Sequence, residues 1–366
     1  MARKKGHSPD YIVIFCIFFL VLAGLFVLSS ASSELGQLRF DDSYYYLKRQ
    51  ILFGLLVGLV GFFLASKIYY GRYKNPYFST VLLIGTIFLL LAVFSPLGLE
   101  IKGATRWLAI GDFSFQPAEI LKLTLIIYLA IWLSGGKHRQ HTLKQGYIPF
   151  LIILSLVGAI LLAQRSTAPA AILLVVASIM YFISGAKWRY VGATLAIGVV
   201  LVGIIISFSP YRTDRIFSYL EPEADPLGSG FHAIQAKTAI GSGGWTGVGY
   251  GRSIMKSTLP EPIGDSIFAI IAEEFGFIGS LALMGFFVFL ILRIFLLAKR
   301  TRDQFGQLLL VGFGTIIGVQ ALFNFGAMIG FFPLTGTPLP FISFGGTALA
   351  VFMTMGGIIT NVSRYS

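Results

Sequence analysis

The chain carries its most informative stretch at residues 259–279, which read Leu259-Pro-Glu-Pro-Ile-Gly-Asp-Ser-Ile-Phe-Ala-Ile-Ile-Ala-Glu-Glu-Phe-Gly-Phe-Ile-Gly279. Four carboxylates lie here, at the start of a strongly apolar run that ends near residue 297: Glu261, Asp265, Glu273 and Glu274. An ionised group at membrane depth costs about 2.5–3.5 kcal/mol even on insertion scales, so such residues usually face a cavity, a partner charge or a substrate. The stretch therefore predicts a functional site at the start of a membrane-spanning helix.

The rest of the chain is also apolar. Of its 366 residues, 56% are hydrophobic and only 12% are charged, and the mean hydropathy is +0.81. This composition excludes a soluble multi-domain protein. Runs of about 20 apolar residues, the length that crosses the membrane as a helix, occur about ten times. They lie near 11–31, 51–66, 79–98, 118–135, 147–163, 168–185, 190–208, 266–297, 308–332 and 346–362. We predict an all-α integral membrane protein with about ten transmembrane helices, forming a single polytopic domain over residues 1–366.

The distribution of charge predicts the orientation of these helices. More than half of the 28 Lys and Arg residues fall in alternate connecting segments, where Asp10 and Asp303 are the only acids. By the positive-inside rule, both termini are cytoplasmic and the long segment 210–264, between helices 7 and 8, is extracytoplasmic. The first run is too long for a signal-peptide core, so we expect an uncleaved span. The net charge of +12 then reflects topology and anionic lipid headgroups, and no nucleic-acid partner is inferred.

Charged residues flank two of the outer span ends. Lys48 and Arg49 precede the second span, where they either anchor it or hold anionic substrate groups. Glu119 and Lys122 follow Pro117 at a spacing that places both on one helix face. They form either a structural ion pair or a pair that lines a polar cavity.

Two outer segments are rich in glycine and proline. The glycines of 241–251 match no nucleotide-binding pattern and predict backbone brought close to another group, such as a sugar or a phosphate. The segment 333–346 interrupts a span, so we expect it to line a wet cavity. The excess length of two runs predicts tilt, or a kink at Gly276, Gly279 or Gly326. His138 and His141 lack further ligands nearby, so we predict no metal site there.

These residues indicate an outward-facing polar cavity, and two classes of function fit it. One is an enzyme acting on a lipid-linked anionic substrate, and the other is a transporter whose intramembrane charges couple to protons. The chain shows no convincing internal repeat, and its polar motifs crowd one face of the membrane rather than the midplane. Both features favour the enzyme.

Several strings of the sequence, in order along the chain, resemble one known family, the SEDS proteins (shape, elongation, division and sporulation). The strings are Lys102-Gly-Ala-Thr-Arg-Trp107, Phe115-Gln-Pro-Ala-Glu119 with Lys122, Glu221-Pro-Glu-Ala-Asp-Pro-Leu-Gly-Ser-Gly230, Ala239-Ile-Gly-Ser-Gly-Gly244, Leu259-Pro-Glu261 with Asp265, Glu273 and Glu274, and Leu339-Pro-Phe-Ile-Ser-Phe-Gly-Gly346. The chain resembles the cell-division branch of this family more closely than its elongation branch.

The resemblance implies a peptidoglycan glycosyltransferase that polymerises lipid II at the outer face of the bacterial cytoplasmic membrane during cell division, and the division septum is its expected location. It also implies a class B penicillin-binding protein and other division or elongation proteins as partners. It implies no particular cofactor, and it leaves open whether a divalent cation binds. Asp265 falls where the family has its catalytic carboxylate, which would act as a general base. A lipid II flippase, a non-catalytic division scaffold, and an elongation role in place of a division role remain as alternatives.

The resemblance also implies roles for the other candidate residues. Those expected to bind substrate are Lys48, Arg49, Arg106, Arg212, Arg215, Glu261 and Ser343. Those expected to organise the cavity are Gln116, Glu119, Lys122, Glu273 and Glu274.

The chain departs from the family pattern in two places. Where the family commonly has Gln-Pro-Asp-x-Gly-Thr, this chain has Gln164-Arg-Ser-Thr-Ala-Pro169, so Ser166 replaces an aspartate. Either no second carboxylate acts in this cavity or Arg165 has changed its arrangement of charges. Next to Asp265, the family's His-Thr pair is Ile263-Gly264 and its Phe is Ser266.

Overall fold

The helices of the computed structural model follow the apolar runs. The structure describes residues 6–101, 104–111, 113–136, 139–207, 210–334 and 336–366. The helices are α1 (Tyr11–Ala31), α2 (Ser33–Phe40), α3 (Tyr45–Arg49), α4 (Val57–Lys67), α5 (Pro76–Ala92), α6 (Pro117–Ser134), α7 (Ile148–Ala163), α8 (Thr167–Ile183), α9 (Trp188–Ser207), α10 (Pro210–Leu220), α11 (Phe231–Ser242), α12 (Ile267–Arg300), α13 (Gln304–Ile329) and α14 (Gly346–Ser363). Two π-helical segments, Gln50–Leu56 and Leu143–Tyr147, lead into α4 and α7.

Seven helical segments in the described part of the chain are long and apolar enough to cross a membrane. They are Tyr11–Ala31, Tyr45–Lys67, Pro117–Ser134, Leu143–Ala163, Ile267–Arg300, Gln304–Ile329 and Gly346–Ser363. Three shorter apolar helices, Pro76–Ala92, Thr167–Ile183 and Trp188–Leu201, lie where further spans were expected. The helical membrane class is therefore confirmed, whereas the count of ten spans stays a prediction.

A small β-sheet between α5 and α6 was not predicted. Its strands are β1 (Gly98–Ile101), β2 (Ala104–Ile110) and β3 (Phe113–Phe115), and they pair antiparallel in the order β1-β2-β3. Gly111, at φ +61°, supplies the left-handed conformation in the turn between β2 and β3. Strands this short give only a weak periodic pattern in the sequence, so the apolar runs did not predict them.

Contacts at one end of the bundle join the two termini. The His7 backbone N–H donates to Arg364 O at 2.9 Å, and Arg293 pairs with Asp10 at 2.7 Å. Asp10 caps the start of α1 and Arg293 lies near the end of α12, so these two helices run antiparallel. The start of α12, with Asp265 just before it, consequently lies at the opposite end of the bundle from the termini. That this end faces outward stays a prediction.

The helix α12 is broken at Gly276, whose backbone lies at φ +66° and ψ −166°. Across the break, the Phe277 N–H donates to Gly244 O at 2.8 Å and the Val248 N–H donates to Glu273 O at 3.0 Å. Of the alternatives predicted, tilt or a kink at Gly276, Gly279 or Gly326, the structure shows the break at Gly276. The close backbone approach predicted for 241–251 is also found, but its partner is the broken helix, because the loop satisfies backbone groups that the break leaves without helical partners.

We expect Gly276→Ala to lower the free energy of unfolding by at least about 1–3 kcal/mol, because an alanine is strained at this positive φ. Its Cβ would also lie only 2.4 Å from the Gly247 backbone nitrogen. Gly285→Ala is the matched control in the same helix, since nothing lies within 4 Å of a Cβ there. Thermal unfolding in detergent measures both variants, and equal loss of stability would contradict the assigned role of Gly276.

Candidate active site

Asp265 is held in a tight turn immediately before α12. The Gly264 and Ser266 backbone N–H groups both donate to Glu261 O, at 3.0 and 3.3 Å. From α13, the Asn324 amide donates to Asp265 O and to Thr337 O, each at 2.8 Å. These bonds join the turn to the segment 336–338, and a methyl group placed on Gly336 would lie 3.7 Å from Asp265 Oδ2. The carboxylate of Asp265 therefore lies beside Gly336.

Gly336 also lines a cleft of about 470 Å³, counting its open mouth, which we call the main cleft. Six separate parts of the chain form its walls: β2, the start of α6, the α7–α8 turn, the start of α8, α10 and the segment 336–338. The lining residues are Arg106, Gln116, Glu119, Lys122, Arg165, Ser166, Thr167, Ala168, Pro169, Ile172, Arg215, Gly336, Thr337 and Pro338. The prediction that the last outer segment lines a cavity is thus confirmed.

The main cleft is cationic. Arg106, Arg165 and Arg215 all line it, and its lysine, Lys122, forms an ion pair with Glu119. The Arg215 guanidinium donates to Leu334 O at 3.2 Å, which directs this side chain toward the segment before Gly336. Guanidinium groups match phosphate oxygens in geometry and charge. The cleft is therefore suited to a ligand with phosphate groups.

A buried ion pair forms the floor of the main cleft. Lys122 Nζ lies 2.5 Å from Glu119 Oε1 and donates to Gln320 Oε1 at 2.8 Å. The Gln320 amide donates in turn to Pro338 O at 2.8 Å. The sequence left two alternatives for Glu119 and Lys122, a structural ion pair or a pair that lines a polar cavity. In the structure both descriptions apply, because the two residues form a buried ion pair and both line the main cleft. Glu119 Oε2 has no hydrogen-bond partner within the described residues.

Lys48 and Arg49 lie apart from the main cleft. Lys48 is exposed and forms an ion pair with Asp42 at 2.7 Å, and its hydrogen bond holds the pKa of the Asp42 carboxyl below its usual value. Arg49 donates to Tyr45 OH at 2.9 Å and packs against the Phe53 ring. These contacts are those of residues that anchor the start of a span. The side chain of Arg212 is not among those that the structure describes.

Glu261 and Ser343 lie at the turn that carries Asp265. The Ser343 hydroxyl donates to Gly264 O at 2.6 Å and accepts from the Leu339 N–H at 2.8 Å, and the side chain is buried. Ser343 therefore braces the turn. Glu261 is exposed and has a positive φ of 50°. Neither residue is in the lining of the main cleft.

Glu273 and Glu274, both in α12, accept hydrogen bonds from other parts of the chain. Glu273 accepts from Ser253 Oγ at 2.5 Å and from the Ile254 N–H at 3.0 Å. Glu274 accepts from Ser30 Oγ of α1 at 2.5 Å. Both carboxylates are buried, and neither lines the main cleft.

Three polar residues of the site were missed in the sequence. Gln320 and Asn324 lie four residues apart on α13, and this spacing of polar groups in an apolar helix is a signal that could have identified them. His232 of α11 lies 2.6 Å from Ser266 Oγ. Because the Ser266 hydroxyl donates its single proton to Pro260 O, the His232 Nε2–H is the donor to Ser266.

The lining of the main cleft does not fit a divalent cation. Such ions take several oxygen ligands, usually including carboxylates. Among the described lining residues, the carboxylate present is that of Glu119, which is paired with Lys122. The described residues also contain no group of three or more His, Cys, Asp or Glu side chains that could hold a metal ion.

The fold and site together define a polytopic helical membrane protein with a cationic cleft and an adjoining carboxylate at one end of its bundle. The chain belongs to the FtsW/RodA/SpoVE family, because the family model, described as cell cycle protein, matches residues 10–366.

Relatives and solved structures match over nearly the whole chain. Stage V sporulation protein E of Bacillus subtilis (strain 168) is 36% identical over 369 residues, covering 100% of both chains. The probable peptidoglycan glycosyltransferase FtsW of Geobacter sp. (strain M18) is 37% identical over 368 residues, covering 99% of this chain and 98% of the relative. A chain from a peptidoglycan synthase complex, studied for its coordination of polymerization and crosslinking, aligns with a TM-score of 0.81 and 27% identity over 98% of both chains. Thermus thermophilus RodA aligns with a TM-score of 0.72 and 26% identity, also over 98% of both chains.

Proposed function

We propose that this protein is a peptidoglycan glycosyltransferase that polymerises lipid II at the outer face of the bacterial cytoplasmic membrane. The observation that carries the proposal is the position of the Asp265 carboxylate beside Gly336, at the edge of a cleft lined by Arg106, Arg165 and Arg215. A base next to a phosphate-binding cleft is what glycosyl transfer from a lipid diphosphate requires. Relatives named as probable peptidoglycan glycosyltransferases support the same activity.

In this mechanism Asp265 acts on the acceptor sugar. Its carboxylate takes the proton from the acceptor hydroxyl as that oxygen attacks the anomeric carbon of the donor. The bond from the anomeric carbon to the diphosphate oxygen breaks, and negative charge grows on the departing lipid diphosphate. Arg106, Arg165 and Arg215 stabilise that charge, since preorganised cations lower the energy of such a transition state. Asn324 and Ser343 keep the turn of Asp265 in place through their bonds to its backbone.

We further propose that the protein works with a transpeptidase of the class B penicillin-binding protein type, which crosslinks the strands it makes. Support comes from the structural likeness to a complex that coordinates polymerization and crosslinking. The family description, cell cycle protein, favours work at the division septum.

Purified protein given fluorescent lipid II, alone and with a cognate class B penicillin-binding protein, tests the proposed activity. We expect glycan strands that a muramidase degrades. An absence of strands in both conditions would contradict the proposal. Lipid II translocation across sealed vesicles without strands would then identify a flippase, and neither activity would identify a scaffold.

A further inference from the structure

The serine that begins α12 uses its side chain for something other than capping that helix. Ser266 occupies the N-cap position, where a serine hydroxyl ordinarily accepts a hydrogen bond from an N–H of the first turn. No such bond forms within the described residues, although Ser266 is fully buried. Its hydroxyl instead donates to Pro260 O at 2.7 Å and accepts from the His232 Nε2–H at 2.6 Å. The side chain therefore joins elements outside its own helix.

These two hydrogen bonds close the turn that carries Asp265 and attach the turn to α11. Pro260 and Ser266 lie on either side of Asp265 in the sequence, and the hydroxyl joins them directly. His232 lies in the first turn of α11, 34 residues before Ser266. A hydroxyl that accepts one hydrogen bond is polarised, so the bond that it donates becomes stronger. The imidazole of His232 thus strengthens the bond that closes the turn.

The contact restrains the turn from a direction that its other partners do not cover. Asn324 of α13 donates to Asp265 O at 2.8 Å, and the Ser343 hydroxyl donates to Gly264 O at 2.6 Å. Both of these bonds hold backbone carbonyl groups, whereas His232 of α11 holds the side chain of the residue that follows Asp265. Bonds from α11, from α13 and from the segment 339–346 together limit how far the carboxylate can move.

The residues of this contact include one at which the chain departs from the family pattern. The pattern has phenylalanine directly after the aspartate, and a phenylalanine side chain has no oxygen to accept from an imidazole, whereas Ser266 has one. The pattern also has a histidine two residues before the aspartate, where this chain has the buried Ile263. This chain therefore lacks an imidazole within the turn, and His232 brings one to the same turn from α11.

We propose that His232 is a positioning residue for Asp265, and that it acts through its hydrogen bond to Ser266. The proposal rests on the proposed function and deepens it. A general base must lie within hydrogen-bond reach of the acceptor hydroxyl, and a displacement of about 1 Å can lower a rate by about 10²-fold. The Nε2–H is present both in the neutral tautomer that donates here and in the imidazolium, so the restraint does not require a charge on His232.

Three variants separate the hydrogen bond from the bulk of the side chain. His232→Leu removes the donor and Ser266→Ala removes the hydroxyl, whereas His232→Gln keeps an N–H at the same number of bonds from the backbone. We expect His232→Leu to lower kcat for polymerisation by at least about tenfold, the effect of one lost hydrogen bond. The KM for lipid II should stay within about twofold of wild type, because the arginines of the main cleft are unchanged. His232→Gln should keep at least about half of the wild-type kcat.

The matched control is His141→Leu, at an exposed position beyond the end of α6 that lies away from the main cleft. Its kcat should lie within about twofold of wild type. His232→Asn is a second variant that breaks the bond, because its amide is too short to reach Ser266, and it replaces His232→Leu if the latter does not fold. A His232→Gln variant as slow as His232→Leu, or a His232→Leu variant as fast as the control, would overturn the proposal.

A double variant tests whether His232 acts through Ser266. If it does, adding His232→Leu to Ser266→Ala should lower kcat by no more than about a further twofold, because the hydrogen bond is already absent. Losses that multiply would show that the two residues act independently, and the proposal would then be wrong.

Amide hydrogen exchange gives a readout that does not need activity. The Gly264 and Ser266 N–H groups both donate to Glu261 O, so their exchange reports on the opening of the turn. Peptides that cover residues 259–268 should exchange at least about tenfold faster in His232→Leu than in wild type or His232→Gln. Equal exchange in all three proteins would contradict the proposal. Faster exchange in His232→Leu, with a wild type that makes no strands, would uphold the restraint and contradict the proposed function instead.

Discussion

Asp265→Asn is expected to lower the rate of lipid II polymerisation by about 10²–10⁴-fold, the usual contribution of a general base. Asparagine keeps the size of the side chain but cannot accept the acceptor proton at neutral pH. The backbone bonds from Asn324 to Asp265 O and from Ser343 to Gly264 O do not involve the carboxylate, so the turn should persist. Strand synthesis from fluorescent lipid II, with the cognate transpeptidase present, measures the rate.

Asp42→Asn is the matched control for this variant. Asp42 pairs with the exposed Lys48 away from the main cleft, so the same chemical change there should alter the rate by less than about twofold. Unfolding temperatures of the two variants should equal that of wild type. If Asp265→Asn polymerises lipid II as fast as the control variant, Asp265 is not the general base.

Lys122→Met is expected to lower the free energy of unfolding by about 3–5 kcal/mol, because it leaves the buried Glu119 carboxylate without its counter-charge. It also removes the donor to Gln320, whose amide holds Pro338 in the wall of the main cleft. Adding Glu119→Gln to Lys122→Met removes both charges together. The double variant should therefore recover most of the lost stability, as measured by thermal or denaturant unfolding in detergent.

An exposed pair provides the control for this second experiment. Lys48→Met at the Asp42 pair should change stability by no more than about 0.5 kcal/mol, because both side chains of that pair are solvated. If Lys122→Met proves no more destabilising than Lys48→Met, the buried pair does not stabilise the cleft floor. If the double variant is as unstable as the single one, the loss comes from packing and not from an uncompensated charge.

The candidate site was only partly accessible from the sequence. Asp265, Glu119 and Lys122 stood out because charged residues are costly in apolar runs, and this local signal needs no knowledge of packing. The same signal also selected Glu273 and Glu274, which are buried outside the main cleft and accept hydrogen bonds from Ser253 and from Ser30 of α1. His232 gave no such signal, because its contact with Ser266 joins two elements separated by 34 residues.

The sequence by itself determined the membrane class and the positions of the apolar helices, and it limited a possible kink to Gly276, Gly279 or Gly326. These properties follow from hydropathy, charge and backbone freedom, which are local to each segment. Only the tertiary structure decided that Arg106, Arg165 and Arg215 would share one cleft beside Asp265, and that Lys48 and Arg49 would lie outside it. The physical reason is that these side chains come from elements far apart in the chain. Their meeting depends on how helices and the sheet pack, and no single segment encodes that packing.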